Sequence, residues 1–131
     1  MKSNIQINNT SKWVSYILQG IVALMFTMAA VNNILHTEMA VNGAKEFGYS
    51  SDSILWLGII LIISTIFYVI PKTNVLGAIL LSAWLGGGVA THLIHQDPIS
   101  KLMVPVLFGI VIWLSLWLRD SKFKEVFPYH L

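Results

Sequence analysis

Four histidines stand among the residues whose types and positions could do chemistry: His36, His92, His95 and His130. Histidine is the one side chain that changes charge near neutral pH, and it both donates and accepts hydrogen bonds. His36 lies four residues after Asn32, and Asn33 is beside it, so a helix ending here would gather two amides and an imidazole. His92 and His95 close a second line, Leu85, Gly88, His92, His95, whose 3, 4, 3 spacing puts all four on one helix face. The expected binding group is therefore Asn32, Asn33, His36 and His92, with His95 at its edge, able to hydrogen-bond a quinone carbonyl or another polar headgroup. The competing reading is structural, with these side chains tying helix ends together. His92 and His95, with His36, Glu38 or Asp97 nearby, have the ligand types of zinc or copper, but their spacing matches no metal motif and no metal is assigned. His130 reads as a solvated tail residue.

Much chemistry is excluded. There is no cysteine, which removes disulfides, thiolate metal sites and dithiol relays. No P-loop, nucleophile elbow or dinucleotide fingerprint is found, so no catalytic residue is assigned and autonomous catalysis is not expected. A net charge of +2, without a basic block, gives no nucleic-acid footprint.

The elements that must position these groups follow from composition. Of 131 residues 56% are hydrophobic and 11% charged, and the mean hydropathy is +0.72. A soluble domain carries about a quarter charged residues; here the solvent for most of the chain must be lipid. Crossing a bilayer takes about 20 apolar residues in a helix. Four uncharged runs qualify, at 13–35, 54–70, 75–94 and 102–118. They lack the alternation of barrel strands, so a single all-α membrane domain over 1–131, a four-helix bundle, is expected. The first run is too long for the apolar part of a signal peptide and reads as a retained anchor.

Short connections at 71–74 and 95–101, each with a proline, make neighbouring spans antiparallel. The first connection is longer. Ala40, Val41, Ala44 and Phe47 recur there at helical spacing before Gly48, which predicts a short amphipathic interfacial helix; Ser50, Ser51 or Asp52 would cap the second span. Six Lys/Arg on the side of both termini against two opposite place the termini in the cytoplasm, with His36, His92 and His95 outside.

Lipid competes equally for leucine, so helices associate through small residues. Ala78, Ser82, Gly86 and Ala90 form a small-xxx-small ladder in the third span; Gly20, Ala23, Thr27 and Ala30 form a looser stripe in the first, expected to face it. Pro105 is placed in the first turn of the fourth span, without a hinge role. No carboxylate lies inside a span, and Ser64, Thr65, Tyr68 and Ser115 are too weakly acidic to replace one, which argues against proton-coupled transport.

The order of short motifs resembles the DoxX-like family of small bacterial membrane proteins: Gly48-Tyr49, Leu57-Gly58, Ile70-Pro71-Lys72-Thr73, Leu76-Gly77-Ala78, Gly86-Gly87, Ala90-Thr91-His92 and Arg119. The resemblance covers nearly the whole chain and is most specific from 71 to 92. It implies a four-helix protein of the bacterial inner membrane, some of whose relatives are accessory subunits of membrane oxidoreductase complexes with thiosulfate and quinone chemistry. His92 is carried over as a motif match. Relatives often carry lysine where Asn33 aligns and glutamate where Leu61 aligns, so a Lys and Glu pair of relatives is missing here. The expected function is an accessory membrane subunit of a redox system that binds a quinone-like or other apolar ligand near the outer face and docks an oxidoreductase partner. Alternatives are a non-enzymatic assembly or stability factor, as a homo-oligomer or with other proteins, and then a small transporter.

Overall fold

The computed structural model describes residues 6–126; Lys2 of the charge count and His130 lie outside them. Asn8 starts the first helix: its side chain accepts from the Thr10 amide at 2.9 Å, and α1 runs Asn9–Ile34. Thr37 caps the short α2, Glu38–Glu46, and Ser50 caps α3, Ser51–Val69. α4 spans Asn74–Ile94, α5 Ile99–Arg119, and a final turn, α6, Ser121–Val126. Of these, α1, α3, α4 and α5 are long and apolar enough to cross a membrane, as expected of the four runs. The amphipathic segment is also helical. Its Ala40, Val41, Ala44 and Phe47 are half-buried, while Glu38, Lys45 and Glu46 face outward.

The four spanning helices form a square. α1 packs against α3 and α5, α4 packs against the same two, and α1 and α4 occupy opposite corners. This corrects the expectation that the first span lies along the third. Across the centre the Phe26 ring of α1 stands 6.4 Å from Trp84 of α4 and 5.3 Å from Phe108 of α5 between centroids. Around these rings the core is Val22, Ala30, Leu61, Tyr68, Ala78, Leu81, Leu85, Ile112 and Leu116.

Close approach occurs at glycines outside the two stripes. A Cβ on Gly58 would lie 2.9 Å from the Ala30 carbonyl oxygen and the Asn33 Cβ, so α3 touches α1 backbone to backbone there. One on Gly77 would lie 2.0 Å from the Tyr68 amide nitrogen, where α4 folds back on α3. The ladder of α4 divides. Ala78 is sealed in the core and Ser82 is half-buried, accepting from the Trp113 indole at 2.9 Å, but Gly86 and Ala90 face outward. A Cβ at Gly20 or Gly86 would meet nothing within 4 Å, so neither glycine is a point of close approach within the described chain, and Ala23 is half-buried. The square is the reason: the buried line of α4 runs Ala78, Leu81, Leu85, and the ladder's upper half turns away from both neighbours.

Pro105 also moves. α5 begins at Ile99 behind an extended Pro98, three residues before the expected 102, so Pro105 sits inside the helix and buried rather than in its first turn.

Replacing Gly77 by Ala is expected to destabilise the fold by about 2 kcal/mol, in the range of overpacking a fixed contact. Gly86→Ala should stay within about 0.5 kcal/mol of wild type. Reversible unfolding in detergent micelles compares them; equal costs would refute this packing.

Candidate functional site

Three helices terminate at the α2 end of the bundle, and each closes with the same pair of hydrogen bonds. In α4, the Gln96 amide donates to the Leu93 carbonyl at 3.1 Å and the Asp97 amide to the His92 carbonyl at 3.0 Å, with Gln96 left-handed at φ 57°. This reversal swings Asp97 back over the last turn. Its Oδ2 meets His92 Nδ1 at 2.6 Å, and Lys101 Nζ stands 3.8 Å from Oδ1. The Asp97 side chain is 9% exposed. A carboxylate at Nδ1 makes that nitrogen the donor, and Nε2 has no hydrogen-bond partner among the described residues. The hydrogen bond from His92 holds the Asp97 carboxyl below its usual range; desolvation opposes this, and Lys101 and the two imidazoles assist.

α2 reaches this pair by its far end. Gly48, at φ 78°, lets the Gly48 and Tyr49 amides return to the Lys45 and Ala44 carbonyls, both at 3.0 Å. Phe47 is thereby set edge-on to both His92 and His95, each at 5.2 Å, and the Tyr49 hydroxyl is 2.6 Å from Thr91 Oγ1. α2 thus latches onto α4.

Its near end leaves α1 through a third reversal, with His36 at φ 52° and the His36 and Thr37 amides on the Asn33 and Asn32 carbonyls. The His36 ring bridges the chain, Nε2 at 2.9 Å from the Ser51 carbonyl and Nδ1 at 3.2 Å from that of Ile34. Between α1 and the start of α2 opens a groove of about 340 Å³, lined by Met25, Met28, Ala29, Asn32, Asn33, Met39 and Ala40. The four residues expected to share one pocket are therefore distributed. Asn32 and Asn33 line the groove, His92 and His95 share Phe47, and His36 belongs to the corner between α1 and α3. About 13 Å of helix separates the two ends of α2. Among the described residues no three His, Asp or Glu side chains form a group that could hold a metal ion.

The opposite end holds a polar cluster that sequence reasoning passed over. Tyr68, fully buried, places its hydroxyl 2.6 Å from Ser115 Oγ. Ser15 Oγ donates to the Ser115 carbonyl, and Gln19 Nε2 to the Tyr68 carbonyl at 2.7 Å. Arg119 Nη1 donates to Gln19 Oε1 at 2.6 Å and to Ser15 Oγ at 3.3 Å, with its guanidinium 4.7 Å from the centre of the Tyr16 ring. Ser15 and Gln19 are four apart and face the same way, which was the available signal; their partners, some fifty and a hundred residues on, gave none.

The sequence model of the DoxX-like family matches residues 17–115, most of the chain and all but the ends of the four spanning helices. No curated protein and no solved structure matches. Of the two positions at which the resemblance implies Lys and Glu in relatives, Asn33 lines the groove and Leu61 is sealed in the core.

Two outcomes test this geometry. A carboxyl with a depressed value stabilises the fold above its unfolded value and loses that contribution as pH falls through the folded one. Wild-type unfolding midpoints are therefore expected to drop below about pH 4, while those of Asp97→Asn change less across the same acid range; parallel curves would refute the pair. Tyr68→Phe is expected to cost about 1 kcal/mol, read as a lower unfolding midpoint in micelles, and an unchanged midpoint would remove the hydroxyl from the account.

Proposed function

The chain belongs to the DoxX-like family of multi-pass membrane proteins, and from that premise we propose that it is an accessory membrane subunit of a redox system, holding a quinone-like amphiphile at the α2 end. The observation that carries this reading is the groove between α1 and α2. Met25, Met28 and Met39 give it deformable, polarisable walls suited to a flat ring and an apolar tail. Asn32 and Asn33 supply amide donors for a carbonyl oxygen, in surroundings where a polar group is costly unless something binds it. Small-molecule sites commonly combine such apolar walls with a few polar groups. The chain has no cysteine and no cofactor motif, so electrons would be handled by an oxidoreductase partner while this subunit binds and orients the carrier. The positive-inside rule sets the α2 end outward from the bacterial inner membrane, with both termini cytoplasmic. His92 stands at the far end of α2, its Nε2 unused, as a second hydrogen-bonding group at the same membrane face.

A scaffold reading is favoured by a different observation. Gly86 and Ala90 present a thin, exposed strip to the bilayer, which is how helices of separate chains approach closely.

Titration of a short-tailed ubiquinone or menaquinone analogue into the protein in nanodiscs, followed by tryptophan fluorescence, tests the proposal. Saturable binding is expected, weakened about tenfold or more by Asn32→Leu with Asn33→Leu, since each amide bond contributes on the order of 1 kcal/mol. Binding that is absent or indifferent to both substitutions would refute the groove. Loss of co-purifying protein partners in Gly86→Leu, with quinone binding absent, would turn the assignment to the scaffold.

A further inference from the structure

The end of the bundle opposite α2 carries an arginine whose protein contacts use only part of its donor set. Both Arg119 contacts inside the chain are made by Nη1, to Gln19 Oε1 and Ser15 Oγ; among the described residues, Nε and Nη2 donate to no protein atom. The guanidinium lies over the Tyr16 ring, and Tyr16 is 58% exposed, so the cation is seated at the seam of α1 and α5 where the protein meets the bilayer. No ion pair joins it to a carboxylate among the described residues, since both salt bridges involve Asp97 at the other end.

Its surroundings are cationic. This end of the described chain has Lys12, Lys72, Arg119, Lys122 and Lys124 against Asp120 and Glu125. Lys12 is four residues before Tyr16 on the same helix face, and both Lys12 and Lys122 are exposed. Asp120 is engaged locally, its Oδ1 accepting from the Lys122 amide at 2.9 Å. Trp13, 71% exposed, and Ile17, 57% exposed, continue the apolar surface of α1 to either side of Tyr16.

A guanidinium over an aromatic ring, with Nη1 fixed inward and Nε and Nη2 donating to no protein atom among the described residues, can offer a fork of donors to a phosphate. Partly buried cations need a counter-charge. The leaflet at this end supplies one at the headgroup level, where Trp and Tyr belts sit. We infer that Arg119, with Lys12 and Lys122, forms a site for the phosphate of an anionic phospholipid whose acyl chains lie along Trp13 and Ile17. The buried cluster behind it acts as the mount: Gln19 and Ser15 aim the guanidinium and are themselves tied to α3 and α5 through the Tyr68 and Ser115 carbonyls.

Native mass spectrometry of the full chain, released from micelles containing equal amounts of phosphatidylglycerol and phosphatidylcholine, tests the site. Wild type is expected to retain one phosphatidylglycerol in at least fivefold preference, from the attraction of a few surface cations for an anionic lipid. Arg119→Gln should abolish the preference, and Arg119→Lys, which keeps the charge and loses the fork, should weaken it. Should Arg119→Gln not fold, the double variant Lys12→Gln with Lys122→Gln, outside the buried cluster, decides: reduced preference at an unchanged unfolding midpoint supports the site. Equal retention of the two lipids, or a preference unchanged in the folded variants, overturns it. Displacement of phosphatidylglycerol by millimolar inorganic phosphate also overturns it, by making the ligand a soluble anion.

Discussion

Tyr68 is the residue through which the spanning helices hold one another. Lipid gives apolar side chains no reason to leave it for a neighbouring helix, so a bundle must be fixed by close contact and by polar ties. Tyr68, on α3, provides both. Its carbonyl accepts from Gln19 of α1, its backbone leaves room only for the hydrogen of Gly77 in α4, and its hydroxyl meets Ser115 of α5. With α3 touching both α1 and α4, and α5 closing the far side, α1 and α4 are left at opposite corners.

That arrangement creates a demand at the other end. There the diagonal pair is bridged by the segment that leaves α1 at Thr37, packs as α2 against α3 and α1, and reaches α4 through Phe47 and Tyr49. The bridge depends on sharp reversals after α1, α2 and α4. Two of them place a non-glycine residue, His36 and Gln96, in the left-handed region, at about 1–2 kcal/mol each. The returning hydrogen bonds offset this, and the reversal after α4 is what sets Asp97 on His92.

Different parts of this were legible to different degrees, for physical reasons. The four crossings could be read because lipid excludes charge from long runs, and α2 because an interfacial helix must be one-sided. Gly48 announced its own reversal; His36 and Gln96 did not, since nothing in a histidine or glutamine signals a positive φ. Neighbour order was misread because small residues mark where a helix is thin without saying which helix comes close. Gly58 and Gly77 form the contacts, yet the regular ladder through Gly86 attracted the assignment. The polar cluster around Tyr68 was set aside because its members were weighed as titrating groups, whereas they work as hydrogen-bond ties between residues a hundred positions apart. At the α2 end helical spacing suggested a single group, and the structure divides it, because α2 separates the asparagines from His92 by its own length.

The two ends consequently differ in what they can do. A fully buried cluster in which Tyr68, Ser15 and Ser115 share hydrogen bonds opens only when several contacts are lost together. The α2 end has a nine-residue helix with no buried residue, its half-buried side packed against α3 and α1. It is followed by Phe47 and Tyr49, whose ring and hydroxyl contacts reach α4. Local opening concentrates where buried contacts are few. Opening at the α2 end therefore breaks fewer buried contacts than opening at the Tyr68 end. Met39 and Ala40 of α2 form one wall of the groove and Phe47, the residue that follows α2, packs on His92, so one short segment joins the groove to the histidine surroundings.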